Sequence, residues 1–172
     1  MSPDLIDRAF APVVDAIAAR RIPGAVLGIV TADGTRAVRA AGHAQVVPAP
    51  RPMTEGTGFD LASLTKVLFT TPRILGLAAA GVIDLDAPLT TLLPDLRQYR
   101  ADAWERAVTF RQCLGHLTPF PAVEPIYTYG RDADLLRAFV LQREWRGGPP
   151  VSSDINFILL GMALERHHRC GI

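Results

Sequence analysis

The chain has 172 residues, 49% of them hydrophobic and 20% charged, with a formal net charge of +1. This balance excludes a disordered chain, and it excludes the broad basic field that gathers nucleic acid or anionic lipid. The length suits one ordinary globular domain with a sizeable core. Cys113 and Cys170 are too few for a disulfide framework and have no metal-ligand spacing, so they read as one buried thiol and one near the C-terminus. Met1–Phe10 carries Asp4, Asp7 and Arg8 where a secretory leader needs an apolar run. The longest apolar stretch, Phe157–Leu164, falls far short of the roughly 20 residues that cross a bilayer. The expectation is a soluble, cytoplasmic chain with no membrane segment.

In chain order, Ser2-Pro3-Asp4 reads as an N-cap followed by proline at the first helical position. Leu5, Ile6, Phe10, Val13, Val14 and Ile17 then recur at helical spacing up to Arg20-Arg21, with a kink expected at Pro12. Ala25–Val30 predicts a strand, Asp33-Gly34 a tight turn and Thr35–Ala41 the return strand of a lone hairpin. The Pro-rich run from Val46 to Arg51 suggests a boundary, giving substructures 1–45 and 46–172. Beyond it the pattern is helical. Ala62–Ala80 is a long apolar segment interrupted by Pro72, with Gly81 as its C-cap. Thr109-Phe110-Arg111-Gln112 is a capping box opening a short helix toward His116. Asp132–Gln142 reads as an amphipathic helix, and Ser153-Asp154 caps a last apolar helix through Glu165. The pattern is mostly α with a small β element.

The chemistry concentrates in Phe59-Asp60-Leu61-Ala62-Ser63-Leu64-Thr65-Lys66. Ser63 and Lys66, three apart at a helix start, share one face. A serine hydroxyl is a poor nucleophile unless a base lies within hydrogen-bond reach. Lysine serves as that base only where burial or neighbouring positive charge favours the neutral amine. The same spacing also suits a serine N-cap beside a solvated lysine. Lys66, however, is the only lysine of the chain, every other basic position being arginine, which cannot give up its proton.

In these residues the chain resembles the serine β-lactamase and penicillin-binding-protein superfamily, in its class C-like esterase and peptidase branch. The matching segments run in order: Ile22-Pro23-Gly24-Ala25, the Ser63–Lys66 stretch, Gly81–Leu89, Leu93–Leu96, Thr109–His116 and Ser152–Gly161. The resemblance implies an α+β, β-lactamase/transpeptidase-like fold, represented mainly by its helical region plus an N-terminal helix and hairpin. It implies an acyl-enzyme mechanism on an ester, amide or β-lactam, with Ser63 as nucleophile and Lys66 as base. A second motif would relay protons, and a third, Lys/His-Thr-Gly, would bind the substrate carboxylate and help form the oxyanion hole.

Two departures stand out. Where the branch reads Tyr-Ser-Asp, this chain has Ser152-Ser153-Asp154. Ser152 either relays a proton, as a serine does in class A relatives, or merely caps the last helix. Tyr127 and Tyr129 are alternative sources of the missing phenol. No Lys-Thr-Gly or His-Thr-Gly follows Ser152, so the expectation is a chain that lacks the C-terminal strands of the family's sheet. That leaves three readings: a catalyst impaired by the missing motif, a non-catalytic truncated homologue, and a fragment completed by another chain through the hairpin edge. Asp154 and His116 are the candidate substrate-binding residues, a structural turn histidine being the alternative for His116. No metal or organic cofactor is implied; the expected partner is a small acyl substrate, with self-association through the hairpin.

Overall fold

The computed structural model describes residues 3–169 and divides into two compact units, Met1–Asp60 and Leu61–Ile172. The readings of Ser2 as an N-cap and of Cys170 as a terminal thiol lie outside the described residues.

In the first unit, helix α1 (Pro3–Ala18) packs on strands β1 (Gly24–Val30) and β2 (Arg36–Gln45), burying Ile6 and Phe10, one turn apart on the same face. It continues through Pro12. The two strands pair antiparallel from Gly24↔Gly42 to Val30↔Arg36. Their turn is built as the sequence suggests: Gly34 takes φ +82°, and Asp33 Oδ1 accepts the Thr35 N–H at 3.0 Å.

The lone hairpin needs correction. β2 runs past Ala41 to Gln45 and pairs with a short third strand, β3 (Arg51–Pro52), giving an antiparallel sheet of order β1-β2-β3. The Pro-rich run is therefore a connection within the sheet. The units divide at Asp60/Leu61 rather than at 45/46 because β3 and Met53, whose N–H reaches the Gly42 carbonyl at 2.9 Å, hold that segment to β2. Gly42 itself is required: at φ +79° a Cβ would run into the Pro23 carbonyl oxygen.

The second unit opens on a helix whose early part is a π-turn, Lys66–Thr70, leading into α2 (Thr71–Ala79). The Thr71 N–H reaches back five residues to the Lys66 carbonyl, and Pro72, just behind it, has no N–H to offer an ordinary helical bond. The helix closes in a Schellman motif. Val82 N–H bonds the Leu77 carbonyl at 2.9 Å and Gly81 N–H that of Ala78 at 3.0 Å, with Gly81 left-handed at φ +70°.

Three further helices follow: α3 (Phe110–Leu114), α4 (Ala133–Gln142) and α5 (Asp154–His168). α3 and α5 are capped by the residues the sequence nominates, while Asp132, read from the sequence as the first residue of its helix, is the cap of α4. Thr109 and Gln112 form the reciprocal capping box, Asp132 Oδ1 accepts the Leu135 N–H at 2.9 Å, and Ser153 Oγ accepts that of Ile155 at 3.3 Å. α5 is the centre of the core. Its Ile155, Leu159, Leu160, Ala163 and Leu164 are buried with Ile74, Leu89, Leu93, Leu96, Phe110, Phe120 and Trp145. Each such aliphatic side chain contributes about 1.5–3 kcal/mol on leaving water. A charged pair also lies inside: Glu105, 1% exposed, sits 3.7 Å from Arg97 and accepts the Trp145 N–H at 3.1 Å. Among the described residues no helix is long and apolar enough to cross a membrane.

Candidate active site

The site is assembled from three pieces of the second unit: the start of the α2 helix, the turn after α3 and the N-terminus of α5. Ser63 is exposed and follows Ala62, which adopts φ +43°. A non-glycine residue there carries about 1–3 kcal/mol of backbone strain, of the kind that gathers where a fold aims one side chain. One turn on, Lys66 Nζ donates to Ser63 Oγ at 2.9 Å. The face shared by positions three apart is thus realised as a direct contact.

α5 supplies the third member. Asp154, its first residue, pairs with Lys66 Nζ through Oδ1 at 2.7 Å. The Lys66 side chain is 21% exposed and that of Asp154 59%, so the cluster is open on the carboxylate side. Lys66 Nζ also lies 5.9 Å from the centroid of the Phe157 ring, one turn after Asp154 on the same helix. Asp154 is thus stationed at a helix N-terminus, where the macrodipole favours a carboxylate.

The roles divide within Ser152-Ser153-Asp154. Ser153 is the cap: its Oγ donates to the Pro121 carbonyl at 2.6 Å while accepting the Ile155 N–H. Ser152 is exposed and precedes the cap. Capping therefore falls to Ser153 rather than to Ser152. Of the two tyrosines, Tyr129 donates its hydroxyl to Glu124 Oε1 at 2.7 Å, and Tyr127 is 80% exposed. The Tyr129 phenol and Arg143 together hold the Glu124 carboxyl below the usual carboxylate range.

His116 occupies the end of α3, in the same Schellman geometry that closes α2. Leu117 N–H bonds the Gln112 carbonyl at 2.8 Å, His116 N–H bonds that of Cys113 at 3.2 Å, and His116 is left-handed at φ +53°. Its ring turns toward α5. Nδ1 lies 3.1 Å from the backbone nitrogen of Ser153 and 3.1 Å from Nδ2 of Asn156, and the ring centroid is 5.2 Å from that of Phe157. Asn156 is fully buried, and its Oδ1 accepts from the equally buried Thr118 hydroxyl at 2.6 Å.

Asn156, Thr118 and Phe157 were not singled out by sequence reasoning. The available signal was Asn156, a lone amide within the apolar run of α5, since a buried polar group must have partners. Cys113, within α3, is buried and its thiol is pushed up to about 12 by desolvation, so it stands apart from this chemistry.

The arrangement offers a hydroxyl on a strained turn, an amine in contact with it, and a carboxylate in contact with the amine. Comparisons with known proteins bear on what such a cluster belongs to. The Beta-lactamase family model matches residues 6–169. The esterase EstB of Burkholderia gladioli is 42% identical over 101 residues, which is 59% of this chain and 25% of that protein. A β-lactamase from Sulfitobacter sp. EE-36 superposes with a TM-score of 0.73 at 30% identity, over 98% of this chain and 44% of its own. The D-amino acid amidase of Ochrobactrum anthropi SV3 shares the fold, with a TM-score of 0.73 at 22% identity over 96% of this chain and 48% of its own. The chain thus spans about half or less of the length of these relatives. With a family match over nearly all of the described residues and the same fold in the solved structures, this chain belongs to the Beta-lactamase family.

Proposed function

We propose that the chain is the acyl-accepting part of a serine hydrolase acting on an ester, amide or β-lactam carbonyl, with Ser63 as nucleophile and Lys66 as its base. The observation that carries this reading is the 2.9 Å contact between Ser63 Oγ and Lys66 Nζ. In the acylation step Ser63 Oγ bonds to the carbonyl carbon and its proton passes to Lys66 Nζ in its free-amine form, the ammonium being the form that the Asp154 carboxylate pairs with. The tetrahedral intermediate then collapses, expelling the alcohol or amine, which takes up a proton. Water releases the acyl group in a second round of the same transfers. Asp154, 2.7 Å from Nζ, stabilises the ammonium as it forms, a role in the base's immediate surroundings rather than in binding substrate. Ser152, exposed and two residues before Asp154 in the chain, is the proposed proton relay to the leaving group.

The reading is tested by exposing the folded chain to a fluorophosphonate and to a β-lactam and locating the adduct by mass. Labelling at Ser63 that is abolished in Ser63→Ala supports it; an unlabelled chain refutes it. Lys66→Arg keeps a cation for Asp154 but cannot accept a proton, so it lowers the labelling rate by about 10²–10⁴-fold.

A second reading draws on a separate observation: among the described residues β1 is an edge strand of the sheet, the position where a further strand can pair. We propose self-association or completion of the sheet by another polypeptide through this edge. Sedimentation that shows only monomer at all concentrations counts against the self-association form.

A further inference from the structure

We propose that His116 is a positioning residue: its Nδ1 gathers the N-terminus of α5 and thereby holds Asp154 against Lys66. The inference rests on the Ser63–Lys66 reading for its catalytic consequence, but its structural content stands on separate contacts.

The hydrogen-bond pattern fixes the form of the ring. A backbone N–H can only donate, so the Ser153 contact makes Nδ1 an acceptor. The Asn156 contact must then be its amide N–H₂ donating. That assignment agrees with Oδ1 of the same amide accepting from Thr118. One lone pair on Nδ1 is shared by two donors from α5, and the ring proton resides on Nε2. An imidazolium would present an N–H at Nδ1 to two other donors and lose both contacts. The ring therefore acts here as a neutral Nε2–H tautomer.

These two contacts bracket the residues that matter. Ser153 and Asn156 flank Asp154 on either side, and the first turn of α5 also carries Phe157, whose ring touches both the His116 imidazole and the reach of Lys66. A rotation or fraying of this turn moves the Asp154 carboxylate directly. The Lys66 pair at 2.7 Å is the contact that such a movement breaks.

Backbone strain gives an independent reason to assign His116 a task. α2 and α3 end in the same Schellman geometry, and α2 uses Gly81 at the left-handed position. α3 has Gly115 immediately beside the equivalent position, yet the left-handed residue is His116 at φ +53°. A glycine there would relieve the backbone. What it would remove is the imidazole.

The test uses two substitutions that both tolerate the left-handed backbone. His116→Gly relieves strain and deletes the acceptor; His116→Asn keeps a side-chain acceptor oxygen near Nδ1. Because Lys66 is the chain's only lysine, protein grown on carbon-13 lysine gives a single Hε–Cε signal that reports its surroundings. In the wild type, nitrogen-15 spectra show His116 protonated at Nε2 and free at Nδ1. In His116→Gly the Lys66 signal moves toward that of an Asp154→Asn control, and fluorophosphonate labelling of Ser63 slows about tenfold or more. His116→Asn brings both readouts back toward wild type.

The proposal is overturned if folded His116→Gly leaves the Lys66 signal and the labelling rate unchanged, whatever happens to its melting temperature. It is equally overturned if the wild-type ring carries its proton on Nδ1. If the wild type is never labelled while the Lys66 signal responds as described, the acyl-transfer reading fails and the positioning role stands.

Discussion

Thr118→Val is the most informative single test of how the site is held. Thr118 and Asn156 are both fully buried and joined by a 2.6 Å hydrogen bond from the hydroxyl to Oδ1. Valine has nearly the shape of threonine, so the substitution keeps the packing and strands one buried carbonyl oxygen. An unsatisfied buried acceptor costs about 1–3 kcal/mol. For a chain of this size each kcal/mol shifts the midpoint by about 2–4 °C, so the expected fall is about 2–12 °C. Thr118→Ser is the control. It keeps the hydroxyl and loses one methyl, worth about 0.8 kcal/mol of transfer free energy. Thermal melts followed by circular dichroism should therefore rank wild type above Thr118→Ser and Thr118→Ser above Thr118→Val. The reverse order of the two variants would mean that Thr118 matters for its methyl, and the hydrogen-bonded network joining it to Asn156 and His116 would be refuted.

Three further outcomes follow from other sites. Cys113, buried with its thiol pushed up to about 12, should resist a thiol reagent in the folded Cys170→Ser chain and react once urea is added; rapid native modification would contradict its burial. The Glu124 carboxyl is held down first by the Tyr129 hydroxyl and then by Arg143, so its folded value lies below its unfolded one. Its contribution is present above the ordinary glutamate range of about 4.3 and is lost as pH falls through the lower folded value. Urea midpoints should accordingly fall less on acidification in Glu124→Gln than in the wild type, and parallel curves would count against the pairing. Gly42→Ala forces a Cβ into the Pro23 carbonyl at φ +79°, so slowed-exchange amides of the β1–β2 ladder should be lost there; unchanged protection would show that the strand crossing is looser than described.

Much of this protein is legible from local rules. The capping box at Thr109, the caps at Asp132 and Ser153, the glycine after α2 and the turn at Asp33-Gly34 follow from side chains acting within a few residues of themselves. So does the nearness of Ser63 and Lys66, because helical spacing alone puts them on one face. The third strand was not legible. Arg51-Pro52 carries no strand propensity, and it pairs only because β2 overruns its expected end and offers an open edge.

The site divides in the same way. Sequence nominated Ser63, Lys66, Ser152, Asp154 and His116, but not what each touches. That Ser153 caps while Asp154 meets Lys66 depends on where α5 begins and on which way it faces α2. That His116 faces α5 depends on a left-handed turn that local preference would have given to glycine. The buried Thr118–Asn156 pair joins residues 38 apart, a separation across which no spacing rule operates. Sequence by itself determined the caps, the helical face and the chemistry available on it, because those are short-range properties of the chain. Only the tertiary structure decided which carboxylate meets the lysine and which ring meets the first turn of α5, because those contacts exist only once α5 is packed against the turns that precede it.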